Sequence, residues 1–326
     1  MSPDAASTIT AASNAFVEEH LAAATALGYR LADLVGDPAA FVGELQGGLL
    51  QLADPVVVEG IRTVAPGIGP VLGVRLPLLG AAHRAFRKAT KRISTALVMD
   101  ATDRLLREET SELRWFGMWN LERLLRTDPE RTWQLMRRAA REATDWIGVD
   151  TLAHPYSAGI LGDPRRWAEL EQLVFSPSRW ERRLVGSTLA TLPHGNHPER
   201  AAELVVRRGL ALVEQLIGDN EPDVQKALSW ALRTLAGLDP GAVAAFAQGE
   251  AQTARQNADG NRAWVIRDSL TKLPGDTAAD LRAELEGIRR RPAANSSSRA
   301  AAAAAAFIHD TDYGAASRPV RSPMEA

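Results

Sequence analysis

The pattern of apolar and polar residues along the chain has mainly helical spacing. Alternating runs of β-branched residues bounded by turns, which are typical of strands, hardly occur. In residues 143–154, ATDWIGVDTLAH, the positions of Trp146, Val149 and Leu152 predict the apolar face of a helix. Asp150 follows Trp146 by four residues and therefore projects from the same side of that helix. The pattern thus places a carboxylate beside a tryptophan on an otherwise apolar face.

Asp-Pro pairs mark the predicted starts of helices, with the acid as N-cap and the proline at the first helical position. The acids of these pairs are Asp37, Asp54, Asp128, Asp163 and Asp239. From Asp54 onward they are 74, 35 and 76 residues apart, which approximates two, one and two units of about 37 residues. His197-Pro198 falls near one of the missing unit boundaries. This spacing is close to that of HEAT-type two-helix repeats and predicts an all-α fold, an α-solenoid, with an irregular helical bundle as the alternative.

The two ends of the chain differ from its middle. Residues 1–37 form a predicted N-terminal extension with one amphipathic helix, AFVEEHLAAATALGYRLADLV. Residues 38–290 are predicted to form one continuous helical array. Residues 291–326 are of low complexity and are predicted to be a mostly disordered tail, in which the alanine run forms at most a transient helix.

Composition limits the classes of protein that the chain can belong to. The 38 Lys and Arg residues against 40 Asp and Glu give a net charge of −2, so any basic binding surface must be local. Cysteine is absent, which excludes disulfides and thiolate metal sites and suits a reducing compartment. There is no signal-peptide pattern at the N-terminus and no apolar run of membrane-spanning length. These features predict a soluble, cytoplasmic protein without membrane contact.

Three clusters combine a tryptophan with charged residues at helical spacing. They are Trp146 with Asp150, Trp180 with Arg183, and Lys226 with Trp230 and Arg233. Taken singly, each has a structural explanation: a cation–π surface pair for the basic clusters, a cap or ion-pair partner for the acid. Because a solenoid stacks its helices side by side, three such clusters together favour a functional site. The start of the second cluster, SRWE at 178–181, also predicts a capping box between Ser178 and Glu181.

A basic run in residues 83–92, HRAFRKATKR, contains no acid. Arg84, Lys88 and Lys91 are spaced along one predicted helix face, which suits the binding of phosphates, although a solvated exterior is the alternative. HGNH at 194–197 has two histidines but no evident third metal ligand, and we predict no metal site. Nucleotide-binding loops and the serine nucleophile motif are missing from the sequence.

Four segments together resemble the AlkD-type family of DNA alkylation repair glycosylases, which are built from HEAT-like repeats. The segments are LGVRLPLL at 72–79, TDWIGVDTLA at 144–153, SRWERRLVG at 178–186 and VQKALSWALRTLAGLDP at 224–240. They occur in the family's order, and the resemblance covers roughly residues 38–290. An aromatic residue that the family often has before the first segment is missing here, so we expect the lesion cleft to be more open or to be filled by residues 1–36.

The resemblance implies a role for individual residues of this chain. The catalytic carboxylate falls on Asp150, and the two aromatic walls of the lesion site fall on Trp146 and Trp230. The arginine that contacts the DNA backbone falls on Arg183. We further expect Arg84, Lys88, Lys91, Lys226 and Arg233 to line a concave face that binds DNA.

The implied activity is hydrolysis of the N-glycosidic bond of purines alkylated at N3 or N7. Such a base is already cationic, so it leaves without the added proton that glycoside hydrolases supply with a second carboxylate. One fixed anion can then stabilise the oxocarbenium-like sugar. The resemblance implies duplex DNA with alkylated bases as substrate, no cofactor, and a monomer. The alternatives are a non-catalytic binder of damaged or branched DNA and a protein–protein scaffold.

Overall fold

The computed structural model describes residues 3–194, 199–291 and 294–310, and these residues are almost entirely helical. Within them no β-strand is found, and the extended backbone pairs at one isolated bridge between Ala53 and Val74. Three short 3₁₀ helices accompany the α-helices: Pro164–Arg166, Leu192–His194 and Leu270–Lys272. The predicted all-α fold is confirmed.

The chain divides into two compact units, Met1–Pro164 and Arg165–Ala326. The α-helices of the first unit are α1 (Pro3–Asp33), α2 (Pro38–Leu50), α3 (Pro55–Val64), α4 (Leu76–Ala89), α5 (Thr95–Leu106), α6 (Ser111–Leu125), α7 (Pro129–Arg141) and α8 (Trp146–Gly162). Those of the second unit are α9 (Trp167–Leu173), α10 (Arg179–Thr191), α11 (Glu199–Leu216), α12 (Pro222–Leu235), α13 (Pro240–Asn257), α14 (Gly260–Ser269), α15 (Gly275–Glu284) and α16 (Arg299–Asp310).

Alternate helices stack on one another within each unit. In the first unit α6 packs between α4 and α8, and α5 contacts α7. In the second unit α12 packs between α10 and α14, and α13 contacts both α11 and α15. Each unit therefore has two layers of stacked helices, the arrangement of helical-repeat proteins of the solenoid type.

Acid–proline pairs begin helices as the sequence predicts. The carboxylates of Asp37, Asp54, Asp128 and Asp239 each accept hydrogen bonds from backbone N–H groups of the following turn, and proline occupies the first position each time. A carboxylate at this position satisfies donors that have no partner within the helix and interacts favourably with the helix dipole.

Two predicted helix starts differ from expectation. Asp163-Pro164 precedes the 3₁₀ helix Pro164–Arg166 and not a longer α-helix. At the start of α10 the hydroxyl of Ser178 makes no capping hydrogen bond, so the predicted capping box is wrong. The hydroxyl of Ser176 binds this turn in its place: it accepts from the N–H of Ser178 at 3.0 Å and donates to the carboxylate of Glu181.

The predicted N-terminal helix exists and is longer than its amphipathic stretch. Helix α1 packs mainly against α4, with Ala24, Leu27 and Leu31 buried. Gly28 lies at the closest approach, because a Cβ added there would lie 2.1 Å from the carbonyl oxygen of Ala82. Only glycine allows the two helix backbones to meet so closely.

Residues 294–310 include α16 and contact the rest of the second unit. The N–H of Ser297 donates to the carbonyl of Gly218 at 3.0 Å, and Arg299 at the start of α16 pairs with Glu214 of α11 at 2.8 Å. Residues 311–326 lie outside the described residues. The domain limits at 37 and 290 stay predictions. None of the described helices is long and apolar enough to cross a membrane.

Candidate functional site

The first two turns of α8 carry the predicted catalytic residues of the first unit. Asp145, just before the helix, accepts from the N–H of Gly148 at 2.8 Å and pairs with Arg114 of α6 at 3.1 Å. These contacts fix the direction in which α8 begins and give Asp145 a capping role. Asp150 lies more than one turn further along, where its carboxylate does not cap the helix.

Trp146 and Asp150 line the same cavity, of about 420 Å³. The indole Nε1 of Trp146 donates to the carbonyl of Val64, the last residue of α3, at 3.1 Å, which holds the ring in place. Both side chains are half-buried. The cavity wall also includes His83 and Arg87 of α4, and Trp119 and Glu122 of α6. The helical spacing predicted from the sequence therefore places the carboxylate and the tryptophan together at a cavity.

His83 is a buried, neutral member of the cavity wall. Asn120 donates from Nδ2 to the hydroxyl of Thr102 at 3.2 Å, so its Oδ1 faces His83 and accepts from the imidazole Nε2 at 3.0 Å. Burial, followed by the nearby arginines Arg87 and Arg123, lowers the pKa of His83 from 6.5 to about 4, against the opposing effect of the Asn120 hydrogen bond. The imidazole is therefore uncharged at neutral pH.

The lowered pKa of His83 predicts a loss of stability in acid. Between pH 6.5 and 4 the unfolded chain binds a proton that the folded chain does not, so the free energy of unfolding falls as the pH falls. We expect His83 to contribute a loss of about 2 kcal/mol between pH 7 and pH 4.5. Urea unfolding at both values should show a smaller loss for His83→Gln, which keeps a donor for Asn120 but does not titrate. An equal loss in the variant would contradict the assignment.

The segment LGVRLPLL is held by Glu112, which sequence reasoning missed. The fully buried carboxylate of Glu112, on α6, accepts from the N–H groups of Leu72 at 3.0 Å, Gly73 at 2.8 Å and Val74 at 3.3 Å. Gly73 has a φ of +85°, and a Cβ there would lie 2.5 Å from a methyl group of Val58. This segment leads into α4, so Glu112 positions the helix that carries His83 and Arg87.

The basic run predicted to bind phosphates lies at the end of α4. Arg84 and Lys88 are exposed on this helix, as expected, and Arg87 shares their exposure. Helix α4 ends at Ala89, so Lys91 lies in the turn that follows and does not continue the helical face, which corrects that part of the prediction. Arg123 of α6 donates to the carbonyl and the hydroxyl of Thr90, both at 2.6 Å, and closes the end of the helix.

In the second unit, the arginines of SRWERR tie α10 to the start of α12. Arg182 pairs with Asp219 at 2.7 Å, and Arg179 lies over the ring of Trp180 at 4.5 Å. Arg183 is only 5% exposed, and its guanidinium donates to the carbonyl of Asp223 at 2.7 Å. These contacts give Arg183 a role in helix packing, and they disfavour its predicted contact with the DNA backbone.

The three residues of the predicted cluster on α12 differ in their exposure and in their partners. Trp230 is half-buried and Lys226 is exposed. The guanidinium of Arg233 donates to the carboxylate of Asp268 at 2.7 Å and to the carbonyl of the same residue at 2.9 Å. Arg233 therefore links α12 to α14, whereas Lys226 has no ion-pair partner among the described residues.

Two residues of the cavity were not predicted from the sequence, and part of one predicted motif lies outside the described residues. Trp119 and Glu122, three residues apart on α6, share the cavity with Asp150; their spacing in RWFGMWNLER was the available signal. Of the HGNH loop, His194 ends a 3₁₀ helix, while residues 195–198 lie outside the described residues. The roles of all the candidate site residues stay predictions.

The fold and this cavity define a helical-repeat protein with an acidic, tryptophan-walled site. The chain matches the family described as DNA alkylation repair enzyme over residues 45–273 and belongs to that family, as the resemblance of its segments predicts. The protein is therefore a DNA alkylation repair enzyme, and its substrate is DNA. Comparison with curated proteins and with solved structures gave no match.

Proposed function

We propose that the protein is a monofunctional DNA glycosylase that hydrolyses the N-glycosidic bond of purines alkylated at N3 or N7. The observation that carries the proposal is the position of Asp150, on the wall of a cavity that it shares with Trp146. The neighbouring acid, Asp145, caps α8 and pairs with Arg114, whereas Asp150 lies on the cavity wall beside Trp146, where the resemblance places the catalytic carboxylate. Membership in the alkylation repair family supplies the type of substrate.

The chemistry follows from the charge of the lesion. A purine alkylated at N3 or N7 is a cation and departs as a neutral base, so the leaving group needs no proton. The sugar becomes electron-poor as the bond breaks, and the Asp150 carboxylate would stabilise that charge and orient the attacking water. The face of Trp146 would attract the cationic base through the ring quadrupole. The resemblance implies the same kind of interaction for Trp230. In this mechanism we assign no step to a metal or an organic cofactor.

Exposed basic residues near the cavity are the candidates for holding the DNA. Arg84, Arg87 and Lys88 on α4 are exposed and have no ion-pair partner among the described residues, and Arg87 also lines the cavity. Basic side chains of this kind bind backbone phosphates without regard to sequence.

The direct test is incubation of the protein with duplex DNA methylated at purines, followed by chromatography of the released bases. We expect N3- and N7-methylpurines to appear in solution while the phosphodiester backbone stays intact. Binding of the DNA without release would favour a non-catalytic binder, and no binding at low salt would favour a protein–protein scaffold.

Replacing Trp230 by Ala should slow base release about tenfold, which corresponds to ~1.4 kcal/mol of lost cation–π attraction. Because the ring is half-buried, we expect little effect on folding. Single-turnover rates and thermal melts of the variant measure the two quantities. Phe175→Ala, which removes an exposed aromatic side chain of the second unit to which no role is assigned, is the control and should keep the wild-type rate. A loss of several kcal/mol in the stability of Trp230→Ala would instead identify Trp230 as a core residue.

A further inference from the structure

Three consecutive arginines, Arg289, Arg290 and Arg291, follow α15 in the second unit. All three are exposed, and none forms an ion pair with an acid among the described residues. The chain as a whole has more acidic than basic residues, 40 against 38, so its composition does not account for such a cluster. Uncompensated like charges repel one another and destabilise a fold, and binding of an anionic partner would relieve that repulsion.

The backbone that carries these arginines is held in place by α14. Arg267 donates to the carbonyl of Leu285 at 3.0 Å and to that of Ile288 at 2.7 Å. At the start of α14, a Cβ added to Gly260 would lie 2.1 Å from the carbonyl oxygen of Arg289, so the segment lies directly against the helix. The arginines are therefore presented from a fixed backbone.

One of the three side chains is also fixed. The guanidinium of Arg290 lies over the ring of Trp264 at 4.7 Å and donates to Oε1 of Gln225 on α12 at 2.9 Å. The next residue on α12 is Lys226, whose side chain is exposed. Arg290 thus brings the arginine segment beside a helix that carries a further unpaired cation.

The positive charges of this region are close enough to affect one another. The pKa of Arg267 is lowered, first by burial and then by the charges of Arg289 and Arg290. A phosphate bound at this surface would relieve that repulsion. Guanidinium groups match phosphate oxygens with two parallel hydrogen bonds, which makes arginine well suited to such contacts.

We propose that Arg289, Arg290, Arg291 and Lys226 form a surface that binds the phosphate backbone of duplex DNA. The identity of the ligand rests on the proposed function, whereas the surface itself rests on the contacts above. Because only phosphates are contacted, binding here is independent of sequence and of damage. This surface supplies phosphate contacts in the second unit, where Arg183 and Arg233 are occupied by Asp223 and Asp268.

The test is a salt titration of binding to an undamaged duplex, comparing wild type with the double variant Arg289→Ala/Arg291→Ala. This variant keeps Arg290 and its contacts to Trp264 and Gln225. Each lost phosphate contact should reduce the magnitude of the log–log slope by roughly 0.9, so we expect a reduction of about 2. Thermal melts of both proteins should coincide.

A charge-matched control separates this effect from net charge. Arg104→Ala/Arg107→Ala removes two exposed arginines at the end of α5, which pair with the nearby acids Glu108 and Asp103, and should leave the slope unchanged. A wild-type slope in Arg289→Ala/Arg291→Ala, or an equal reduction in the control, would overturn the proposed surface. Base release at saturating DNA should survive in the double variant, so loss of this surface is distinguishable from failure of the glycosylase proposal.

Discussion

Base release from methylated duplex DNA should fall at least a hundredfold when Asp150 is replaced by Asn. The amide keeps the size of the side chain but removes the negative charge that would face the electron-poor sugar. Removing one group that stabilises transition-state charge typically costs on the order of a hundredfold to a thousandfold in rate. Single-turnover release of N3- and N7-methylpurines measures the effect.

Affinity for DNA should change little in Asp150→Asn, because the substitution removes no basic group, and thermal melts of both proteins measure any change in stability. Asp100→Asn, at an exposed position on α5, is the control for loss of one negative charge and should keep the wild-type rate. Excision by Asp150→Asn at a rate near that of wild type would show that the carboxylate serves packing and not chemistry.

Replacing Glu112 by Ala should lower the free energy of unfolding by about 3–5 kcal/mol. The change leaves the N–H groups of Leu72, Gly73 and Val74 without their shared acceptor, and each unpaired buried donor costs roughly 1–3 kcal/mol. Urea unfolding monitored by helical circular dichroism provides the measurement.

Glu112→Gln distinguishes the hydrogen bonds from the bulk of the side chain, since its amide oxygen can still accept from part of the segment. We expect it to lose less than half as much stability as Glu112→Ala. Glu59→Ala, at an exposed position of α3, should stay within about 0.5 kcal/mol of wild type. A fully stable Glu112→Ala would mean that α6 does not hold the segment in place.

The helix starts could be predicted from the sequence because a cap depends on residues only two or three positions away. Asp37, Asp54, Asp128 and Asp239 all cap as expected. The capping box at Ser178 failed for an equally local reason: the hydroxyl of Ser176 is also within reach and binds both the N–H of Ser178 and the carboxylate of Glu181, which the box would join directly. Competition between neighbouring hydroxyls is not visible in the motif.

The environment of the arginines was harder to predict, because it depends on which helix face packs against a neighbour. The spacing of Trp180 and Arg183 was correct, yet Arg183 lies on the face that meets α12. A Cβ on Gly186, three residues further along that face, would lie 2.8 Å from Ala227. Trp119 and Glu122 join Asp150 only through the packing of α6 on α8, a tertiary contact that no local pattern encodes.

The close approach of α1 to α4 at Gly28 makes α1 part of the packing of the first unit. The family match begins at residue 45, after α1, yet α1 covers the helix that carries His83 and Arg87. A fragment that began at the family boundary would expose the face of α4 around Ala82 to water and would lack the buried Ala24, Leu27 and Leu31. The compact first unit therefore includes a whole helix that precedes the family match, and the helix that forms one wall of the cavity packs against it.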